Sequence, residues 1–252
     1  MDSTPAEHAR RQYAATTANL DARIALHMHS TQTRPWYAWV RDRLPASGDL
    51  LEVGAGTGML WADGASDLRL TLTDSSAAMC ARLRAISGAR VLRCDATSLP
   101  FRSGSFDVVV ANHMLYHLDD PGAGLAEFAR VLRPGGRLAV STNGRDHLRE
   151  LNALGPAIGR PDLAAALTRS DFTGDSGPAR VAEHFSAVTA ERYPSDIVVH
   201  EPEPILAYQE SLPAEPLTEA QRSAVRDLVR ARIAEEGCYR IRTQTILISA
   251  TR

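Results

Sequence analysis

Short runs of apolar and β-branched residues alternate along this chain with stretches whose apolar residues recur every three or four positions. The first pattern predicts buried strands and the second amphipathic helices. Between residues 48 and 145 the alternation is regular. "DLLEVG" reads as a strand, "GMLWADGA" as a helix, "LRLTLTD" as a strand, "SSAAMCARLRAI" as a helix and "RVLRCDA" as a strand. "FDVVVAN" then reads as a strand, "GAGLAEFARVL" as a helix and "GGRLAVSTN" as a strand. Strands separated by helices at this spacing predict a parallel sheet with helices on both faces. The unbroken run Val108 to Val110 suits a strand buried on both sides.

The flanks differ. Residues from about Pro5 to Leu44 read as a mostly helical arm, with Leu20, Ile24 and Met28 on one face. Pro35 interrupts it before Trp36 and Trp39, which share a face and read as core. After Asn143 come two helix-like pieces separated by Pro161, then the breaker-rich "DFTGDSGP". "FSAVTAERY" and "DIVVHEP" read as strands, and "TEAQRSAVRDLVRARIAEE" as a helix opened by a Thr218 to Gln221 capping box. "CYRIRTQTILISATR" reads as one long final strand. The expectation is a single domain over residues 1–252. It comprises a helical arm (1–44), a ligand-binding core (45–144), a helical lid (145–184) and C-terminal strands and a helix that complete the sheet (185–252).

Composition narrows the partners. The net charge of -2 offers no general attraction for nucleic acid or an anionic membrane. All 28 basic residues are arginine, scattered among 30 acids. Three cysteines without metal-ligand spacing read as reduced thiols. The first residues carry no apolar signal segment, and no stretch approaches the roughly 18 apolar residues of a membrane span. A cytoplasmic protein, monomeric or homodimeric, is expected.

In an open parallel sheet the ligand lies beyond the carboxyl ends of the strands, where strand order reverses. Four such ends carry candidates. The first is the turn "LEVGAGTG", in which Gly54, Ala55, Gly56 and Gly58 follow the acid Glu52. A dinucleotide fingerprint needs glycine at the first, third and sixth places, and here the sixth is Met59. A phosphate loop needs a lysine, and the chain has none. A nucleoside ligand without phosphate remains. The second end is Asp74, placed to accept from both ribose hydroxyls or to cap the next helix, with Ser75 beside it and Met79 able to cover a purine. The third is Asp95 with Ala96, a carboxylate and a backbone amide suited to the edge of adenine, or simply a turn. The fourth is Asn112, an amide for a zwitterionic ligand or an acceptor, or another cap.

Taken in order, "LEVGAGTG", Asp74, "CDATSLPF", "FDVVVANHMLYHLDDP" and "FARVLRPGGRLAVS" resemble the successive motifs of class I S-adenosylmethionine-dependent methyltransferases, in their small-molecule branch. The resemblance covers roughly residues 48 to 145. It implies a doubly wound, Rossmann-like α/β fold whose mostly parallel seven-stranded sheet has an antiparallel last strand, with a helical lid. It implies S-adenosylmethionine as cofactor and S-adenosylhomocysteine as product. Glu52 and the glycine loop would serve the methionine portion, Asp74 the ribose, and Asp95 with Ala96 the adenine.

A methyl group on a sulfonium is already activated, so no metal is expected. A base is needed only where the acceptor must lose a proton. His113 and His117, in "NHMLYHL", are candidates for that role, and His117 is equally suited to a structural one. Tyr13, His27 and His29 in the arm are further pocket candidates. The competing readings are an NAD-dependent oxidoreductase and a regulatory protein that keeps the cofactor without catalysis. A nucleic-acid methyltransferase is disfavoured by charge and by "NHML" where an aromatic Pro-Pro-Tyr type motif would stand.

Overall fold

Leu50 and Leu51 adjoin in sequence and are both fully buried, yet they belong to different cores. Successive strand side chains point to opposite faces, and here both faces are covered. The computed structural model describes residues 18–64, 67–163, 171–212 and 215–252, with side chains from residue 22 onward. Helices α1 (Ala18–Leu26) and α2 (Trp36–Arg41) precede strand β1 (Ser47–Val53). Then follow β2 (Asp67–Asp74), α3 (Ala77–Leu83), β3 (Arg90–Arg93), β4 (Phe106–Asn112), α4 (Pro121–Val131) and β5 (Leu132–Asn143). The sheet runs β3-β2-β1-β4-β5 and is completed by β9 (Thr245–Thr251) and β6 (Ser186–Arg192). The first five strands pair in parallel, and β9 lies antiparallel to both of its neighbours. This is the doubly wound, mostly parallel seven-stranded sheet with an antiparallel last strand. Strand order reverses between β1 and β4, the position at which open parallel sheets bind their ligands.

Helix α4 illustrates how sequence sets an element. Asp120 accepts from the Ala123 backbone amide at 3.0 Å, and Pro121 occupies the first turn, where no amide is needed. Leu125, Phe128 and Val131 then share one buried face. Gly124 lets that face approach, since a Cβ there would lie 2.8 Å from Leu118 Cδ1.

Several expectations are corrected. "GMLWADGA" forms only a single 3-10 turn, Met59–Trp61, between Gly58 and Gly64, which both hold positive φ. In the arm α1 stops at Leu26, so Leu26 is buried and Met28 is 82% exposed. The long final strand divides at Thr243 and Gln244. Its first part, β8 (Tyr239–Arg242), leaves the main sheet and pairs with β7 (Asp196–Val199). The segment 185–252 therefore completes the sheet only through β6 and β9. The Thr218 capping box does open the last helix as read, with Gln221 returning the bond.

Between Asn143 and β6 lie short helices α5 (Arg149–Asn152), α6 (Leu154–Ala157) and α7 (Gly177–Ala182). Helix α8 (Glu203–Glu210), which the sequence pattern did not suggest, and α9 (Glu219–Glu236) stand between β7 and β8. Leu26, Leu151, Ile197, Tyr208, Val225 and Ile241 share a further core, so the arm, the segment after β5 and the two-stranded β7–β8 sheet with its helices pack as one layer. Among the described residues no helix is long and apolar enough to cross a membrane.

Candidate functional site

The glycine loop leaves β1 with Gly54, Gly56 and Gly58 all in the left-handed region, at φ 68, 56 and 77. Residues with a Cβ resist that conformation. The turn is pinned to β2 by the Ala55 amide on Thr73 O at 2.9 Å and the Gly56 amide on Asp74 Oδ2 at 3.0 Å. The other Asp74 oxygen accepts from the Ser76 amide at 2.8 Å. Burial raises the Asp74 carboxyl above its ordinary range, and the backbone donors oppose that shift. Each oxygen has a second lone pair, the capacity two hydroxyls require.

The three glycines differ in surroundings. A Cβ on Gly54 would strike Met114 Cβ at 2.8 Å, and one on Gly58 would strike Ile86 Cδ1 at 2.4 Å. One on Gly56 meets nothing within 4 Å. Gly56 alone borders open space, where a ligand can approach the main chain. Beneath the loop Glu52 is 2% exposed, and burial pushes its carboxyl up to about 8 while the Trp61 indole N–H donates to it at 2.5 Å. Ser75 is exposed, and its carbonyl accepts from Arg93. Met79 is buried on α3. Asp95 is exposed and bends the chain by accepting from the amide and hydroxyl of Thr97, both at 2.8 Å, with Ala96 buried beside it.

Asn112 closes β4 across the switch point from Gly54. Its Oδ1 accepts from Ser141 Oγ at 2.5 Å and from the Trp36 indole N–H at 3.2 Å. The arm is thereby tied to the strand end. Neither Trp36 nor Ser141 was singled out as a site residue by sequence. Trp36 reads as core by spacing, and Ser141 is one hydroxyl in an apolar strand.

His113 follows at φ 54, an unusual backbone for a residue with a side chain. Its amide donates to Ser141 Oγ at 2.9 Å. The ring lies 5.5 Å from Trp36 and 6.3 Å from Tyr116, which in turn lies 4.5 Å from His117. Burial, with repulsion from His27 and His117, pushes the His113 imidazole down to about 3. The side chain is half-buried. His27 stacks on His147 at 6.5 Å with ring planes 16° apart. His147 was missed, because a lone histidine in an unpatterned segment gives no signal. His29 is exposed, and Tyr13 lies outside the described residues. Among the described residues no three His, Cys, Asp or Glu side chains converge to hold a metal ion.

The donor set fits a nucleoside without phosphate. The loop carries no cationic side chain, its open point is a backbone atom, and carboxylates stand at the next two strand ends.

Residues 51–140 match the model of a methyltransferase domain. A demethylmenaquinone methyltransferase of Beutenbergia cavernae is 40% identical over 110 residues, covering 41% of this chain and 46% of that protein. The chain spans about half the length of the curated relatives it matches. An S-adenosylmethionine-dependent methyltransferase of Thermotoga maritima has the same fold at TM-score 0.60 and 16% identity, covering 96% of this chain and 98% of that one. A Haemonchus contortus phosphoethanolamine N-methyltransferase, solved with S-adenosylhomocysteine, gives TM-score 0.60 at 15% identity over 100% of this chain and 60% of its own.

Proposed function

We propose that this chain, which carries a class I S-adenosylmethionine-dependent methyltransferase domain, transfers a methyl group from that cofactor to a small-molecule acceptor. The observation that carries the reading is the loop itself. Gly56 borders open space while its amide is locked to Asp74, so the loop and the second strand end form one preformed surface for a nucleoside. On this reading Glu52, Gly54, Ala55, Gly56 and Gly58 hold the methionine portion. Asp74 and Ser75 take the ribose. Asp95, Ala96 and Met79 take the adenine, while Asn112 stands where cofactor and acceptor meet.

When bound, the cofactor supplies a methyl group already activated on sulfur. The residues of the chain need only bind, orient and exclude water. Orientation of this kind supplies roughly 7–11 kcal/mol of a barrier. His113 and His117 flank the acceptor side of Asn112; the His113 imidazole, held neutral by burial, can accept a hydrogen bond there, which leaves His117 as the candidate to receive an acceptor proton, and the arm, tied down through Trp36, covers that side. The slight net charge supports a small acceptor over nucleic acid.

The test is incubation with S-adenosylmethionine labelled in its methyl group and fractionated pools of small metabolites. Label should leave the cofactor for a low-molecular-weight product. Failure to bind S-adenosylhomocysteine, with no transfer to any pool, refutes the reading.

A further inference from the structure

Asn112 ends β4 beside Ser141 of β5, its partner in register, and the bonds around its carboxamide decide what it can offer a ligand. Its Oδ1 accepts from Ser141 Oγ and from the Trp36 indole. An amide oxygen has two lone pairs, so both are taken. The indole N–H can only donate, which fixes the orientation of the amide: turned over, it would set two donors against each other. Ser141 is committed in the same sense. Its Oγ accepts from the His113 amide, so its own hydrogen goes to Asn112.

The ring that sets this orientation is itself held. Trp36 stacks on Trp39 at 5.4 Å and lies edge-on to Tyr193 at 5.3 Å. The Tyr193 hydroxyl donates to Arg34 O at 2.7 Å, and Arg41, on the same short helix as Trp36, donates to Leu60 O in the turn after the glycine loop at 2.8 Å. What remains of Asn112 is Nδ2. No described residue accepts from it, and Asn112 is only half-buried. Among the described residues the buried side-chain polar atoms without a partner are Asn152 Oδ1 and Gln209 Oε1, so Asn112 Nδ2 is not sealed in and keeps surface that a ligand can reach.

We propose that Trp36 is a positioning residue that makes Asn112 a donor-only contact for the methyl acceptor, and that the accepting atom is accordingly an oxygen, of a hydroxyl or a carboxylate. This rests on the methyl-transfer reading, in which Asn112 stands where cofactor and acceptor meet. An oxygen that accepts from Nδ2 keeps a further lone pair for the methyl group. A neutral amine has a single lone pair and cannot give it to both. Its N–H also needs an acceptor, which Asn112, with Oδ1 filled, does not supply. The oxygen bonds to the methyl carbon as the bond from that carbon to sulfur breaks, and the electron pair of the broken bond stays on sulfur. A hydroxyl passes its proton to His117, and a carboxylate has none to lose.

The test begins with the full chain, S-adenosylmethionine carrying 13C in its methyl group, and fractionated metabolite pools; the carbon shift of the transferred methyl identifies the atom that holds it. That atom should be oxygen, and a methyl on nitrogen, carbon or sulfur overturns the proposal. Asn112→Asp keeps an oxygen for Trp36 and Ser141 but replaces the donor by an acceptor. Turnover of the acceptor so identified should fall by about a hundredfold or more. Were Asn112 only a tie for the arm, Asp would serve as well, so retained turnover overturns the proposal. In the apo chain labelled with 15N at tryptophan, the same variant should move the Trp36 indole proton downfield, as a bond to a charged acceptor does, and an unmoved signal denies the bond. Trp36→Phe keeps a ring in the stack and loses the N–H. Its kcat should fall about tenfold, the worth of one neutral hydrogen bond, with S-adenosylhomocysteine affinity within about threefold of the parent. Parental kcat in Trp36→Phe overturns the positioning role. If S-adenosylhomocysteine does not bind and no methyl leaves the cofactor, the methyl-transfer reading has failed first.

Discussion

Two glycines in one turn separate what the loop does for folding from what it does for the ligand. Gly56→Ala and Gly58→Ala both force a Cβ into the left-handed region, at a cost of about 1–2 kcal/mol. At Gly56 that is the whole structural cost, because the added methyl meets nothing within 4 Å. At Gly58 the methyl would sit 2.4 Å from Ile86 Cδ1 and 3.0 Å from Leu83 Cδ2. Overpacking of this kind costs about 1–3 kcal/mol, and the free end of Ile86 keeps it near the lower figure. Gly58→Ala should therefore be the less stable variant in urea unfolding, by about 1 kcal/mol. Ligand binding should rank them the other way. The Gly56 methyl fills the space through which a nucleoside approaches the main chain, so S-adenosylhomocysteine affinity should fall at least tenfold, about 1.4 kcal/mol. Gly58→Ala, its methyl turned toward α3, should bind within about threefold of the parent at temperatures where it is folded. Calorimetric titration of both variants reads this. Parental affinity in Gly56→Ala, or lost affinity in folded Gly58→Ala, would refute the assignment of the open side of the loop.

Other consequences can be checked singly. Glu52 has a folded-state pKa raised from 4.5 to about 8, so the stability tied to its protonated form is complete below pH 4.5 and is lost as pH rises through 8. Glu52→Gln, which cannot ionise, should gain on the parent across that window by on the order of a few kcal/mol, and urea midpoints at pH 5 and pH 8.5 that differ by the same amount would contradict it. Leu26 is 1% exposed in the layer that joins the arm to the two-stranded β7–β8 sheet. Leu26→Ala should cost about 2–5 kcal/mol, and a thermal melt unchanged from the parent would show the arm to be loosely held. Transfer from a sulfonium needs no Lewis acid, so dialysis against EDTA should leave turnover intact. Activity lost in EDTA and restored by one divalent ion would overturn that.

The parallel strands were legible because their buried centres are apolar runs and because acids and glycines stand at the ends of β1 and β2. The glycine loop and the acids at the strand ends are a matter of local sequence and were readable for that reason. The surroundings of Asn112 and His147 were not, since they are assembled from residues far apart in the chain. Trp36 meets Asn112 across 76 positions, and Gln244 meets His147 across 97. Nothing local in either segment announces such a partner. The division of the final strand was hidden because alternation runs unbroken through Thr243 and Gln244; the turn is set by tertiary bonds, such as Thr243 Oγ1 to Ser195 O at 2.5 Å. The helix expected after the glycine loop failed for a local reason. Gly58 and Gly64 hold left-handed backbone on either side of it, and only one turn fits between.

The most direct measurement is calorimetric titration of the protein and of Asp74→Asn with S-adenosylhomocysteine, with NAD as control. The Asp74 carboxylate holds the Gly56 and Ser76 amides and is assigned the ribose, so its replacement removes charge-assisted bonds worth about 1.5–3 kcal/mol each. One site should be seen in the parent, weakened tenfold or more in Asp74→Asn, with no heat from NAD. No binding of S-adenosylhomocysteine, equal binding of NAD, or an affinity indifferent to Asp74 would contradict the assignment of this surface to S-adenosylmethionine.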